Sequence, residues 1–286
     1  MKVVIIGGVA GGASAAARLR RLDESAEIVM LERTGYVSYA NCGLPYYVGG
    51  VIADRAELTL QTPERFRERF NIDVRVGSEV TAINREAKTV SVREAETGRI
   101  YEEPYDKLIL APGAASVVPA AVSLDSPRVF TLRTVEDALA LRTFVTEKAP
   151  RRAVVVGGGF IGIEAAENLA EMGVETTLVQ RPAQLLKPLD ADMAAFVHAE
   201  MRARGVRLVL GGSLERWTRR PAVLSCASAT ARRYRPIWWC SPSAWRPRRI
   251  WPPRRGSPSA SAAASPPTRP CAPPTRTSSP WAMPRR

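Results

Sequence analysis

The sequence predicts an α/β fold: two Rossmann-like units in series, followed by an irregular or disordered C-terminal tail. Three observations carry that expectation. A β-branched run, a glycine-rich turn, an apolar helical segment and a second apolar run succeed one another at Lys2–Glu32 and again at Arg152–Arg181. That order is the sequence form of a doubly wound βαβ unit. The chain has 286 residues, room for about two domains of roughly 100–200 residues each. Composition then breaks at Trp217, so the units are read as 1–113 (the first, incomplete), 114–216 (the second) and 217–286 (the tail).

In the first unit, Lys2-Val3-Val4-Ile5-Ile6 is continuously apolar, as a parallel strand buried on both faces requires. Gly7-Gly8-Val9-Ala10-Gly11-Gly12 follows, then the helical segment Ala13 to Leu22 and the strand Glu27–Leu31. Glu32 lies 20 residues past Gly12, the spacing at which a carboxylate meets an adenosine ribose. Backbone N–H groups at the helix start suit a pyrophosphate, which glycine lets approach closely. Val9 stands where the usual pattern has its second glycine.

Ser38-Tyr39-Ala40-Asn41-Cys42-Gly43-Leu44-Pro45-Tyr46 holds the one cysteine of residues 1–216, ten residues past Glu32. Cys42 admits two readings. An isolated cysteine is often a buried structural residue. The polar and small neighbours Asn41 and Gly43, and a Gly-Leu-Pro turn opening a helix, favour a redox nucleophile instead, because a helix N-terminus stabilises a thiolate.

Residues 51–110 alternate turns with short strands, such as Asp73–Val76 and Thr89–Val92. Lys107–Leu110 reads as a buried strand that stops at the tight turn Ala111-Pro112-Gly113. The second unit opens with Ala153–Val156 and the full G-x-G-x-x-G of Gly157-Gly158-Gly159-Phe160-Ile161-Gly162, followed by a helix over Ile163–Met172 and a strand over Glu175–Val179. Gln180-Arg181 ends that strand where an NAD-selective site usually offers an acid. An arginine there favours or tolerates a 2′-phosphate, so NADPH is expected beside NADH. His198, the single histidine, has no catalytic partner nearby in sequence and reads as a surface or packing residue.

The formal charge of +13 suggests a nucleic-acid binder until it is located. Residues 217–286 hold 14 arginines and no acid, whereas 1–216 hold 27 bases against 28 acids. All six tryptophans and 14 of the 23 prolines also fall at or beyond Trp217. Cys226, Cys240 and Cys271 lack metal-ligand spacing, so no zinc site is expected. No targeting segment or run of ~20 apolar residues is visible. A nearly cysteine-free body suits a reducing compartment, the cytoplasm by default.

Two dinucleotide patterns around one cysteine resemble the FAD-dependent pyridine nucleotide-disulfide oxidoreductases. Ser38-x-x-Asn41-Cys42-Gly43-Leu44-Pro45-Tyr46 is similar to the coenzyme A-disulfide reductase branch. Arg20-Arg21-Leu22-Asp23-Glu24, Gln61-Thr62-Pro63-Glu64, Thr131-Leu132-Arg133 and Pro188-Leu189-Asp190 with Met193 add to it, over residues 1 to about 216. The resemblance implies FAD at Gly7–Gly12, Glu32 and Ala111-Pro112-Gly113, and NADPH or NADH at Gly157–Gly162 with Gln180 and Arg181. Cys42 would then be the nucleophile toward a small-molecule disulfide, coenzyme A disulfide above all. Ser14, Arg18, Arg21, Ser38 and Asn41 align with coenzyme A-binding positions, although Arg18 and Arg21 read equally well as solvated helix charges. The oxidase and peroxidase relatives carry a histidine in the first glycine loop, where this chain has Val9-Ala10. The lone Cys42 excludes an internal Cys-x4-Cys disulfide.

The tail carries a codon-level signal. If each codon's last base is read with the next codon's first two, Trp238-Trp239-Cys240 gives Val-Val. Trp281-Ala282 then forces Gly and Met283-Pro284 forces Ala, inside a permitted DIFAVGDA over Arg276–Pro284. The family resemblance implies a strand and then a Gly-Asp-Ala motif in that order, so a frameshift near Trp217 is expected. The shifted chain would lack a second flavin motif and the family's dimerisation domain. Three functions follow: a flavin-dependent reductase of coenzyme A disulfide, with an NADH oxidase or a reductase of coenzyme A persulfide or polysulfide as the alternative; an inactive, truncated relative that binds NAD(P)H alone; or a binder of nucleic acid or membrane surfaces through the arginine-rich tail.

Overall fold

The computed structural model describes residues 1–118, 125–219, 222–227, 233–234, 237–240 and 245–247. All of them lie in one unit, Met1–Ile250. The chain opens with strand β1 (Lys2–Ile6), helix α1 (Ala10–Leu22) and strand β2 (Glu27–Leu31). A 3-10 turn over Asn41–Gly43 leads into helix α2 (Leu44–Val48), and helix α3 (Pro63–Phe70) precedes β3 (Asp73–Arg75). An antiparallel meander follows, β4 (Ser78–Asn84), β5 (Thr89–Glu94) and β6 (Ile100–Pro104), before β7 (Lys107–Leu110). The first parallel sheet has the order β3-β2-β1-β7.

The uninterrupted apolar runs have a structural cause. Val3, Ile5, Ile28 and Met30 point to a core with Ala13, Ala16 and Phe66 from the two helices. Val4, Ile6, Val29 and Leu31 point the other way, onto Val90 and Val92 of the meander. Alternate residues thus serve opposite faces of one sheet, and neither face is free for polar residues.

Short strand β8 (Ala114–Ser116) and β9 (Val129–Thr131) precede helix α4 (Val135–Lys148). Then come β10 (Arg152–Val156), α5 (Phe160–Glu171), β11 (Glu175–Gln180), α6 (Ala191–Ala203) and β12 (Arg207–Leu210). The segment read as an irregular tail shows backbone strands in its described pieces: β13 (Ser213–Arg219), β14 (Ala222–Ala227), β15 (Arg233–Tyr234), β16 (Ile237–Cys240) and β17 (Trp245–Pro247). Trp217 lies within β13. The second parallel sheet has the order β12-β11-β10-β16-β9, so Ile237–Cys240 runs between β10 and β9. The Gly-Ala positions forced by the shifted frame, 281–284, lie outside the described residues.

Three expectations change. Residues 63–70 form a helix rather than a turn: Thr62 Oγ1 accepts from the Arg65 N–H at 3.3 Å, and Pro63 occupies the first turn. Helix α5 begins at Phe160, three residues before the expected start, with Gly159 as its N-cap. Strand β7 is not buried as expected, because it is the edge of its sheet; Leu110 is 42% exposed.

Candidate functional site

Both glycine turns are built alike. At the first, Gly7 sits at φ +97°, a conformation that favours glycine. A Cβ on Gly12 would lie 1.7 Å from the Gly7 carbonyl oxygen, so helix and turn meet only because Gly12 lacks a side chain, and a Cβ on Gly7 would lie 2.0 Å from the Ala111 carbonyl oxygen. At the second, Gly157 has φ +110°. A Cβ on Gly158 would lie 2.4 Å from Leu185 Cδ2, whereas Gly159 faces open space. The strand registers match as well: Ile6 pairs with Leu31, and Val156 with Val179.

That match puts Glu32 and Gln180 in one role. Glu32 Oε2 accepts from the Gly8 N–H at 2.8 Å, and Gln180 Oε1 accepts from the Gly158 N–H at 2.9 Å. Both side chains are buried. Glu32 Oε1 also accepts from the Thr34 N–H and hydroxyl, at 2.8 and 2.9 Å. Sequence reasoning assigned these positions to a ribose; each also holds its own glycine turn closed. Arg181 is exposed beside Gln180.

An open cavity of about 290 Å³ lies over the first turn. Gly7, Val9, Glu32 and Ala111-Pro112-Gly113, all expected site residues, line it. Gly8 and Gly12 stand behind the turn as buried packing positions; Ala10 and Gly11 begin α1. The wall also includes Tyr39, Ser78–Val80 and Arg133-Thr134, which sequence reasoning did not assign to the site. Burial pushes the Tyr39 phenol up to about 12, against the opposing pull of Arg133. A glycine cradle below, an open lumen above and a buried carboxylate at one end fit the phosphates and ribose of a dinucleotide.

Cys42 is exposed and stands in the middle of the Asn41–Gly43 turn. The segment leading to it is tied to the first glycine turn by the Ser38 N–H, which donates to the Gly8 carbonyl at 2.9 Å. Ser38 itself sits at φ +47°. The helix that follows packs beside the second parallel sheet: Leu44, Tyr47 and Val48 share a core with Val135, Leu141, Ala165 and Leu169 of α4 and α5. Cys42 therefore sits on a bridge between the first glycine turn and the helices beside the second sheet. Pro45 lies in the first turn of α2, as the sequence predicted. Burial, then the charges of Glu164, Glu167, Cys42 and Glu171, push the Tyr46 phenol up. Burial and Glu167 push the Glu164 carboxyl up in turn.

The other expected substrate residues divide. Ser14, Arg18 and Arg21 occupy one exposed face of α1, spaced four and three residues apart. Arg20, between them, turns inward and donates to the carbonyls of Phe70 and Asn71 at 2.7 and 2.8 Å. Asn41 accepts through Oδ1 from Arg133 Nη1 at 2.8 Å. His198 packs as expected, with Nε2 accepting from the Leu185 N–H at 3.0 Å. Among the described residues no group of three or more His, Cys, Asp or Glu could hold a metal ion, and no helix is long and apolar enough to cross a membrane.

Known proteins resemble this arrangement. Coenzyme A disulfide reductase of Staphylococcus haemolyticus is 39% identical over 205 residues, and that of Staphylococcus aureus (strain Newman) 41% over the same length. The match covers 72% of this chain and 46% of each relative, so the chain spans about half the length of the curated relatives it matches. Reduced Bacillus anthracis CoADR-RHD superposes with a TM-score of 0.82 at 46% identity, over 86% of this chain and 44% of that one. A NAD-dependent persulfide reductase from A. fulgidus follows at 0.80 and 33%, over 86% and 46%. Residues 1–235 match the family described as pyridine nucleotide-disulphide oxidoreductase. With both glycine turns and the bridging cysteine in place, the chain belongs to the pyridine nucleotide-disulphide oxidoreductase family.

Proposed function

We propose that this chain carries the redox half-site of a flavin-dependent reductase that passes electrons from NADPH or NADH to a small-molecule disulfide, coenzyme A disulfide above all. The bridging position of Cys42 carries the reading: an exposed thiol tied to the first glycine turn through Ser38 and, through α2, packed on α4 and on α5, the helix that follows the second glycine turn. Bound FAD at the first turn supplies a two-electron relay between a nicotinamide and a disulfide. Gly7, Gly12, Glu32 and Ala111-Pro112-Gly113 would hold it; Gly157–Gly162, Gln180 and Arg181 would hold the nicotinamide nucleotide.

The Cys42 thiolate attacks one sulfur of R–S–S–R, forms Cys42–S–S–R and releases one R–S⁻. Two electrons from NAD(P)H then return Cys42 to the thiolate and release the second R–S⁻. The balance is NAD(P)H + H⁺ + RSSR giving NAD(P)⁺ + 2 RSH. Exposure of Cys42 suits an external disulfide. Ser14, Arg18 and Arg21 offer one hydroxyl and two cations, which suits a phosphorylated thiol. A persulfide is the second reading, favoured by the likeness to the A. fulgidus enzyme, since the same thiolate accepts sulfane sulfur.

The test is NADH or NADPH oxidation by the FAD-loaded chain with coenzyme A disulfide. The parent should release two thiols per nucleotide oxidised. Cys42→Ser should release none while still reducing an artificial one-electron acceptor. A colourless chain that cannot be loaded with FAD would refute activity for it.

A further inference from the structure

The turn that carries Cys42 is three residues long and its helix five. Elements this short do not hold themselves in water, so their position is set from outside. Two arginines of one segment, β9 to α4, reach the two ends.

Arg133 takes the front. Its Nη1 donates to Asn41 Oδ1 at 2.8 Å, one residue from Cys42. Arg133 is itself fixed at the backbone: its N–H donates to Asp137 Oδ2 at 2.8 Å, and its carbonyl accepts from the Tyr39 hydroxyl at 3.4 Å. Asp137 also completes the capping box of α4, so the anchor is a helix terminus rather than a loose loop.

Arg142 takes the back. Its guanidinium lies 4.3 Å from the centroid of the Tyr47 ring, and Nη1 donates to the carbonyls of Tyr47 at 3.1 Å and Ile52 at 2.9 Å. The last carbonyls of a helix have no partner within it and carry its negative end. The Tyr47 carbonyl accepts from the Gly50 N–H at 3.1 Å, and the stacked cation adds a second bond to it and holds the exit loop through Ile52.

We propose that Arg133 and Arg142 are positioning residues that grip the redox turn from both ends, Arg133 through Asn41 and Arg142 through Tyr47 and Ile52, and so set where Cys42 Sγ stands. This deepens the reading of Cys42 as a nucleophile and rests on it. Thr131-Leu132-Arg133, a motif otherwise without a task, thereby gains one.

The test uses the full chain with Cys226, Cys240 and Cys271 changed to Ser, so that one thiol remains. The measured quantity is the second-order rate of thiol–disulfide exchange between Cys42 and 5,5′-dithiobis(2-nitrobenzoate), with thermal unfolding alongside. Arg133→Ala and Asn41→Ala should each slow exchange about tenfold, the scale on which small misplacements of a reacting atom act. The double variant should be no slower than either, because one acts through the other. Arg142→Ala should slow exchange and speed hydrogen exchange at Gly49, Gly50 and Ile52; Arg142→Lys, which keeps a cationic donor group, should recover part of the rate. Rates within twofold of the parent, or losses that multiply in the double variant, would overturn the proposal while leaving the nucleophile intact. A parent whose Cys42 reacts no faster than in the urea-unfolded chain would overturn both.

Discussion

Gly49 offers the sharpest test of how the redox helix is seated. It follows α2 at φ −71° and ψ −10°, a helical geometry that alanine adopts without strain. Any cost of Gly49→Ala must therefore come from contact. A Cβ there would lie 2.1 Å from Asn168 Oδ1 and 2.7 Å from Asn168 Cβ and Cγ, each well inside the ordinary separation of about 3.5 Å. Asn168 is 2% exposed, and its Nδ2 donates to the Glu164 carbonyl at 2.7 Å. Swinging it aside forfeits a bond worth about 1 kcal/mol and leaves overpacking of about 1–3 kcal/mol. The total of about 2–4 kcal/mol corresponds to a fall in Tm of roughly 5–15 °C for a chain of this size. Circular dichroism at two scan rates measures it. In an Asn168→Ala background the obstacle is gone, and alanine at 49 should be neutral or stabilising by about 0.4–1 kcal/mol. A Gly49→Ala Tm within 1 °C of the parent, or a loss undiminished in that background, would refute the contact argument.

Glu103 joins β6 to β1 and β3, with Oε1 2.7 Å from Lys2 Nζ and Oε2 on Arg75 Nη1. Burial opposes its charge, but hydrogen bonds from Lys2 and Arg75 outweigh burial and hold the carboxyl below its usual 4.5. Its contribution is therefore complete above pH 4.5 and lost as pH falls through the lower folded value. Glu103→Gln should cost about 3 kcal/mol at pH 7, with the gap to the parent closing in acid, as urea unfolding at both pH values will report. His198 works the other way up: burial, then Arg202, hold its imidazole below 6.5. The Leu185 bond is complete above pH 6.5 and lost as pH falls through the lower folded value, so the protection of the Leu185 amide against exchange, relative to its intrinsic rate at each pH, should fall below pH 6.5. His198→Gln should show no such step. Arg181→Ala should weaken NADPH binding roughly tenfold and NADH less than twofold, measured by calorimetry on the chain without flavin; equal losses for both would refute a 2′-phosphate contact.

Local chemistry made much of this legible before any coordinates. Both strand–turn–helix–strand units stand where the glycines and β-branched runs put them, because φ-positive turns and two-faced burial restrict residue choice at each position. The Cys42 turn and the Pro45 helix were legible for the same reason. Contacts between distant residues were not. Asn41 and Arg133 are 92 residues apart, and Arg142 and Ile52 are 90; nothing in either neighbourhood points to the other. Ser78–Val80 reaches the cavity only because the meander folds over the sheet. Gln180 was weighed as a missing ribose acid, when its amide oxygen does for Gly158 what Glu32 does for Gly8. Helix α3 was hidden by Pro63, which reads as a turn residue until Thr62 is recognised as its cap.

The central claim is that Cys42 is the atom through which an external disulfide is reduced. The most direct measurement is mass spectrometry of the peptide containing Cys42 after the reduced chain meets one equivalent of coenzyme A disulfide. The account predicts one coenzyme A bound through a disulfide at Cys42, released when NAD(P)H is added to the FAD-loaded chain. An unmodified Cys42 peptide beside consumed disulfide, or an adduct that NAD(P)H leaves in place on a flavin-loaded chain, would contradict it.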